Sequence, residues 1–237
     1  MDLKEINFSN IDITNHWYYV TKANALLSFT KLINCKSILD IGAGSRFFSE
    51  FLLNKTSLCE ATCVDINYDN EFSYSINGKN ISCKKNIDVF SSDVILLMDV
   101  IEHVEDDFKF LSHYVSLASN NSYFIISVPA FQFLFSHHDV FLGHHRRYDI
   151  KQLNRLINSC GLKIINSSYL YFPIFPLVVF IRLFKKLFLK NQPYSDLKKT
   201  NSVINFLLIF ILKIELLFFK QNKLAGLTIF CLAKKLP

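Results

Sequence analysis

Four histidines and two arginines crowd one short stretch. FSHHDVFLGHHRRYD, from Phe135 to Asp149, holds His137, His138, His144, His145, Arg146 and Arg147 within eleven residues, although the whole chain has only seven histidines. Imidazole does two kinds of chemistry near neutral pH: it moves protons and it ligates metals. As a metal site the stretch has donors enough, with Asp139 beside them. Yet HHD and HHRR lack helical i, i+4 spacing, and two adjacent arginines repel a divalent cation, so the expectation is no metal. As a proton-transfer site it offers His138 or His144 as base, with Asp139 orienting the ring. Arg146 and Arg147 suit a phosphate or carboxylate gripped by two parallel hydrogen bonds. A purely structural role competes for Arg147 and Tyr148, which can pin the stretch to a helix capped by Asp149.

A second set of residues lies upstream. LDIGAGSRF, from Leu39 to Phe47, puts Gly42 and Gly44 directly after an apolar run and before a helical pattern. Glycines there allow a tight turn and a close approach of backbone to ligand. Asp40 ends the strand. Asp65 ends the next one, 25 residues on, where a carboxylate can take the two hydroxyls of a ribose. Asp99, Glu102 and His103 (DVIEHV) follow a further strand, with helix capping as their plain alternative. A dinucleotide fingerprint needs a third glycine where Phe47 stands, and a pyrophosphate would face Asp40. A nicotinamide dehydrogenase is therefore disfavoured. S-adenosylmethionine, with its sulfonium and ammonium, suits Asp40 better.

These residues need a scaffold. Short apolar runs at Ser37–Ile41, Ala61–Ile66, Asn80–Lys84, Asp93–Met98, Tyr123–Val128, Leu162–Ser167 and Leu227–Ala233 read as strands. Helical patterns at Ser45–Asn54, Asp106–Ala118 and Ile150–Cys160 alternate with them, and Gly161 suits the last C-terminus. Continuous apolar strands between helices predict a doubly wound, mostly parallel seven-stranded α/β sheet. Its ligands bind at the carboxyl ends of the strands.

LDIGAG, CVDINY, LMDVIEHV and GHHRRY together resemble class I S-adenosylmethionine-dependent methyltransferases. They are most similar to the bacterial branch associated with cell-surface polysaccharide and lipid gene clusters. The similarity runs from about Trp17 to Leu236. It implies a Rossmann-like fold and S-adenosyl-L-methionine as cofactor, held by Asp40, Gly42, Gly44, Arg46, Asp65, Asp99 and Glu102. Asp65 would hold the ribose, Ile87 and Asp88 would flank the adenine, and Asp99 would lie by the methionine end. Arg46 stands where the family usually has a third glycine. It would pair with the methionine carboxylate. His138, His144 and Asp139 would be catalytic, and His103, Arg146, Arg147 and Tyr148 would face the acceptor.

The charge is unevenly spread. From Tyr169 onward 11 Lys or Arg stand against two acids, leaving 15 of the 26 basic and 18 of the 20 acidic residues in the preceding body. An acidic body argues against nucleic acid. Ile174–Lys190 sets Arg182, Lys185, Lys186 and Lys190 at spacings of three and four, opposite Phe, Leu and Ile. Val203–Lys220 is apolar on most faces. Neither run offers the roughly 18–20 uncharged residues needed to cross a bilayer. The expectation is a hydrophobic, basic helical insertion over 169–224, lying in a membrane interface or capping the site. Residues 1–168 form the cofactor-binding core, and 225–237 supply its last strand. The N-terminal MDLKEINFSN does not read as a signal peptide. The six scattered cysteines read as reduced and mostly buried. The chain is expected in the cytoplasm, peripheral at the inner face of the cytoplasmic membrane. There it would methylate a small or lipid-linked acceptor, most simply at oxygen. The competing reading is a non-catalytic scaffold for surface-glycan enzymes.

Overall fold

The structure, a computed structural model, describes residues 12–188 and 200–237. MDLKEINFSN and Lys190 lie outside the described residues, and Lys186 outside the described side chains. An eight-stranded sheet forms the centre: β1 (Ser37–Ile41), β2 (Glu60–Val64), β3 (Phe72–Ile76), β4 (Lys79–Lys84), β5 (Val94–Met98), β6 (Tyr123–Pro129), β7 (Leu162–Leu170) and β8 (Thr228–Lys235). Their spatial order is β3-β4-β2-β1-β5-β6-β8-β7. The stretch β4-β2-β1-β5-β6 is parallel, while β3 and β8 pair antiparallel to their neighbours. The sheet thus has eight strands rather than the seven expected. The extra one is β3, an edge strand folded back on β4 through Asn77 and Gly78, both at positive φ. Asn-Gly is the favoured turn for such a hairpin.

The helices follow from burial on both faces. β5 is VILLM and is buried at every position, as a central parallel strand requires. One layer of core holds α1 (Trp17–Thr30) and α2 (Phe47–Lys55) through Leu26, Phe29, Leu52 and Leu53. The opposite layer holds α3 (Asp107–Leu117) and α5 (Ile150–Ser159) through Leu111, Val115, Leu153 and Ile157. Asp149 caps α5, exchanging hydrogen bonds with Gln152, and Gly161 lies just past its end at φ +83°. A six-residue helix, α4 (His137–Leu142), is capped by Ser136 and Asp139 and stopped by Gly143 at φ +79°.

Two helices lie between β7 and β8: α6 (Phe175–Phe188) and α7 (Ser202–Glu215). α7 packs on α1, burying Leu212 and joining Asn205 Oδ1 to the Trp17 amide at 2.9 Å. Most of its apolar side chains face outward. Among the described residues no helix is long and apolar enough to cross a membrane.

The order of strands reverses between β1 and β5, so the loops after these two strands diverge around a crevice at their carboxyl ends. Every residue discussed below belongs to that end.

Candidate active site

The turn after β1 is built on left-handed backbone. Gly42, Gly44 and Arg46 have φ of +67°, +52° and +66°. A Cβ on Gly42 would lie 2.7 Å from Val100 Cγ2, so the β1 turn and the β5 loop interlock there. Asp65 ties the turn to β2: its Oδ2 accepts from the Gly44 amide at 2.8 Å and its Oδ1 from the Asn67 amide and side chain at 2.9 Å. A carboxylate has about four lone-pair sites, so three donors leave it capacity for a ribose hydroxyl. Asp40 is buried behind the turn and accepts from Ser49 Oγ at 2.7 Å. Burial pushes its carboxyl up to about 6, and Asp65 adds to the rise.

Arg46 stands among aromatic rings. Its guanidinium lies 5.5–6.0 Å from the rings of Tyr68, Phe72 and Tyr74, and its Nε is 3.8 Å from Glu50. That places it over the β3–β4 hairpin. Its backbone, at φ +66°, adopts the left-handed conformation for which a glycine is the easy residue, so an arginine here carries a backbone cost. Ile87 packs against the core, whereas Asp88 is exposed.

The loop after β5 is strained and buried. Asp99 has φ +56°, and its carboxylate pairs with Lys22 of α1 and accepts from Ser127 Oγ at 3.0 Å. Lys22 is fully buried and also reaches Tyr18 Oη at 3.2 Å. Burial alone would lower the Lys22 ammonium, but Asp99 and then Tyr18 outweigh it and raise it. Glu102 is likewise fully buried, and neither of its carboxylate oxygens has a hydrogen-bonding partner. Burial first, and the Asp99 charge second, push its carboxyl well above the usual range.

The histidine stretch folds into an ionic knot. Asp139, fully buried, sits at its centre. Its Oδ1 meets His144 Nδ1 at 2.9 Å and Arg147 Nε at 2.7 Å, and Arg182 of α6 approaches Oδ2 at 3.7 Å. Burial opposes ionisation, yet His144, Arg147 and Arg182 together hold Asp139 well below the ordinary carboxylate range. An ionised Asp139 fixes the His144 proton on Nδ1 and leaves the Nε2 lone pair outward. Arg147 also donates to the Ala130 carbonyl at 3.2 Å. Arg146 turns the other way, to Asp107 at 3.0 Å, and the Tyr148 hydroxyl donates to the same Asp107 at 2.7 Å.

A cavity of about 330 Å³ opens between α1, the loop after β5, the histidine stretch and α6, and Asp40, Gly42, Gly44, Arg46 and Asp65 are not among its lining residues. Of the sequence-derived site residues, Asp99, Glu102, His103, His138, His144 and Arg147 line it. Asp139 stands directly behind two of them. Arg146 and Tyr148 do not reach it: they bind the loop to α3, so any acceptor contact falls to Arg147. Lining residues that the sequence did not assign to the site include Tyr18 on α1, beside Lys22, and Arg182 and Lys185 on α6. Lys22 itself escaped too, since a lone lysine in an apolar helix carries no signal by type or spacing. For Arg182 and Lys185 the i, i+3 spacing was visible. It marks the charged face of a helix expected in a membrane interface or capping the site, and both residues line the cavity.

The comparisons accord with this geometry. A family model described as a methyltransferase domain matches residues 16–167. No curated protein matches the sequence significantly. Among solved structures, a SAM-dependent methyltransferase from Archaeoglobus fulgidus is 18% identical, with 98% of each chain covered and a TM-score of 0.55. A chain in the complex of the Haloferax volcanii Trm112 methyltransferase activator with a methyltransferase is 12% identical, covering 99% of this chain and 93% of that one, at 0.56. Haemonchus contortus phosphoethanolamine N-methyltransferase 2, solved with S-adenosyl-L-methionine, is 15% identical, covering 92% and 53%, at 0.55. These likenesses establish the shared fold. Since the family model spans well over half of the residues, the chain belongs to the methyltransferase-domain family.

Proposed function

We propose that this enzyme methylates an oxygen of a lipid-linked, anionic acceptor at a membrane surface. S-adenosylmethionine is the cofactor. When bound, it supplies an electrophilic methyl group on a sulfonium. The residues present fit it: the left-handed Gly42–Gly44 turn allows backbone approach, and Asp65 keeps acceptor capacity for a ribose hydroxyl. The methyl-transfer reading rests most on one observation, the cavity that opens at the carboxyl ends of β5 and β6 beside Asp99 and Glu102.

Each wall has a task. Lys22 neutralises Asp99 and fixes the β5 loop, so the methionine end has a defined floor. His138 or His144 takes the acceptor's proton, with Asp139 holding the His144 ring so that Nε2 faces the cavity. Arg147, Arg182 and Lys185 form a basic wall suited to a phosphate or carboxylate. Pro129, Leu142, Val178 and Ile181 line the remainder and exclude water. Holding the acceptor against the methyl carbon supplies much of the rate.

The membrane placement draws on α6 and α7. Leu177, Phe180 and Phe184 of α6, and Val203, Phe206 and Phe210 of α7, are each at least half exposed. Monomers rarely leave large apolar patches in water. Interfacial helices bury such a face in the acyl boundary. Because α6 also walls the cavity, an acceptor with a lipid tail would pass beneath it directly from the bilayer.

The test is a methylation assay on membrane lipid extracts with isotope-labelled S-adenosylmethionine. The expected result is a product heavier by one labelled methyl, lost in His138→Ala or His144→Ala. Arg182→Gln should raise KM more than it lowers kcat. Calorimetry that shows no S-adenosylmethionine binding would instead favour the scaffold reading. Full turnover in both histidine variants would remove imidazole base catalysis.

A further inference from the structure

We propose that Glu102, His103 and His144 form a binding site for one divalent first-row transition metal on the cavity wall. The metal-binding claim stands on its own; its use in catalysis rests on the methyl-transfer reading above. One ligand atom from each of these residues lies within 4.8 Å of the others. The rings of His103 and His144 meet edge to face, with centroids 4.6 Å apart. Glu102 is fully buried and both its oxygens lack a partner, which is costly for a carboxylate in a protein interior. A cation there would satisfy both oxygens.

The supporting groups are those a metal site uses. Asp139 accepts from His144 Nδ1 at 2.9 Å, which leaves Nε2 as the ligand atom. Carboxylate–histidine pairs of this kind orient ligands and raise their basicity. The His145 amide donates to the Glu102 carbonyl at 2.8 Å, so backbone fixes the two ligand-bearing loops to each other. Two imidazoles and one carboxylate make a three-residue set that leaves coordination positions for water or an acceptor oxygen. Imidazole donors favour manganese through zinc over magnesium or calcium.

The sequence argued against a metal on two grounds: HHD and HHRR lack helical i, i+4 spacing, and Arg146 and Arg147 are adjacent. The structure answers both, since His144 joins Glu102 and His103 of another loop rather than its sequence neighbours, and the arginines are engaged elsewhere. Arg146 is turned away to Asp107, and Arg147 is neutralised by Asp139. Lys22 is paired with Asp99, and of the two cations that α6 adds to the cavity wall, Arg182 and Lys185, Arg182 lies 3.7 Å from Asp139.

A metal at this place lowers the pKa of an acceptor hydroxyl that it holds. The acceptor oxygen then forms its bond to the methyl carbon as the carbon–sulfur bond breaks. Sulfur keeps that electron pair, and the hydroxyl proton passes to His138. His144 is a ligand in this arrangement, which leaves the base role to His138.

The experiment uses untagged full-length protein treated with chelator and dialysed. Cobalt(II) is titrated in, read by its visible absorption and by calorimetry, with manganese(II) followed by electron paramagnetic resonance. One ion per chain is expected. Glu102→Gln and His144→Ala should each weaken binding at least tenfold, and Asp139→Asn about 10–100-fold through the lost orientation. Circular dichroism checks folding; if Glu102→Gln does not fold, His103→Gln and His144→Gln decide. No stoichiometric binding by the parent protein, or unchanged binding in a His103→Ala/His144→Ala double variant, overturns the site. S-adenosylmethionine calorimetry on the same samples separates the two claims. Metal binding without cofactor binding sinks only the methyl-transfer reading. Cofactor binding without metal binding sinks only the metal site, and chelator-resistant turnover sinks only the metal's use in catalysis.

Discussion

The loop–α4 region and the α6–α7 pair place their residues in opposite ways. Around α4, charged groups are buried and saturated: Asp139 has no exposed surface and holds His144 and Arg147. Along α6 and α7, phenylalanines and leucines stand in water, while Arg182 and Lys185 point inward to the cavity. Each region breaks the usual rule of apolar in and polar out, and they do so on two sides of one cavity. A buried ion network is a poor route to stability, because removing charges from water is expensive. Its presence here therefore speaks for chemistry. An apolar exterior is equally unfavourable in water, and it speaks for a partner that is not water.

That contrast can be broken from either side. The largest effect is expected from Asp139→Ala. It strands Arg147 as a buried, unpaired charge, which costs about 3–5 kcal/mol. Urea denaturation should show this as a lower midpoint, and turnover should vanish with it. Lys22→Met comes next, at about 3 kcal/mol, because Asp99 is partly exposed and can recover some hydration. A variant as stable as the parent would show that the Lys22–Asp99 pair is not formed in solution.

Asp40 gives a pH signature of similar size. Its folded pKa, raised to about 6, lies above the ordinary aspartate value of about 4. The folded state therefore binds the proton more tightly than the unfolded chain. The associated stability is full below about pH 4 and is lost as pH rises through about 6. Relative to Asp40→Asn, the parent should lose about 2–3 kcal/mol across that interval. A parallel pH profile in both proteins would mean that Asp40 is solvated. The smallest stability effect belongs to the outer face: Phe180→Ser with Phe206→Ser should change unfolding by no more than about 0.5 kcal/mol per site. The same pair should clearly reduce co-flotation with anionic vesicles. Unchanged flotation would detach the apolar face from membranes.

Much of the fold was legible because burial on both sides of a parallel sheet leaves uninterrupted apolar runs. SILDI, VILLM and YFIISV show this. β3 was missed because FSYSI is an edge strand with polar alternation, although Asn77-Gly78 marked its hairpin. α1 was missed for a different reason. It buries Tyr19, Lys22, Ala25, Leu26 and Phe29 along one stripe, but the lysine within that stripe and the further buried Thr21 and Ala23 blur its contrast with the opposite face. With α1 went Lys22. The cavity residues His103, His138, His144 and Arg147 were visible from type and spacing. Which of two adjacent arginines turns inward was not, since Arg146 and Arg147 differ only in the partners that folding brings to them.

The place of β8 has a consequence for how the chain is made. This strand, Thr228–Lys235, sits between β6 and β7, and Lys235 Nζ donates to the Val115 and Ala118 carbonyls at the end of α3. During synthesis β6 and β7 therefore emerge with a gap between them that only β8, translated after α6 and α7, can fill. Over the same interval α6 and α7 have already left the ribosome with their phenylalanines uncovered. Nascent chains in that state present open strand edges and apolar helices together, the combination most prone to aggregation. A bilayer close to the ribosome would shelter the helices until the sheet closes.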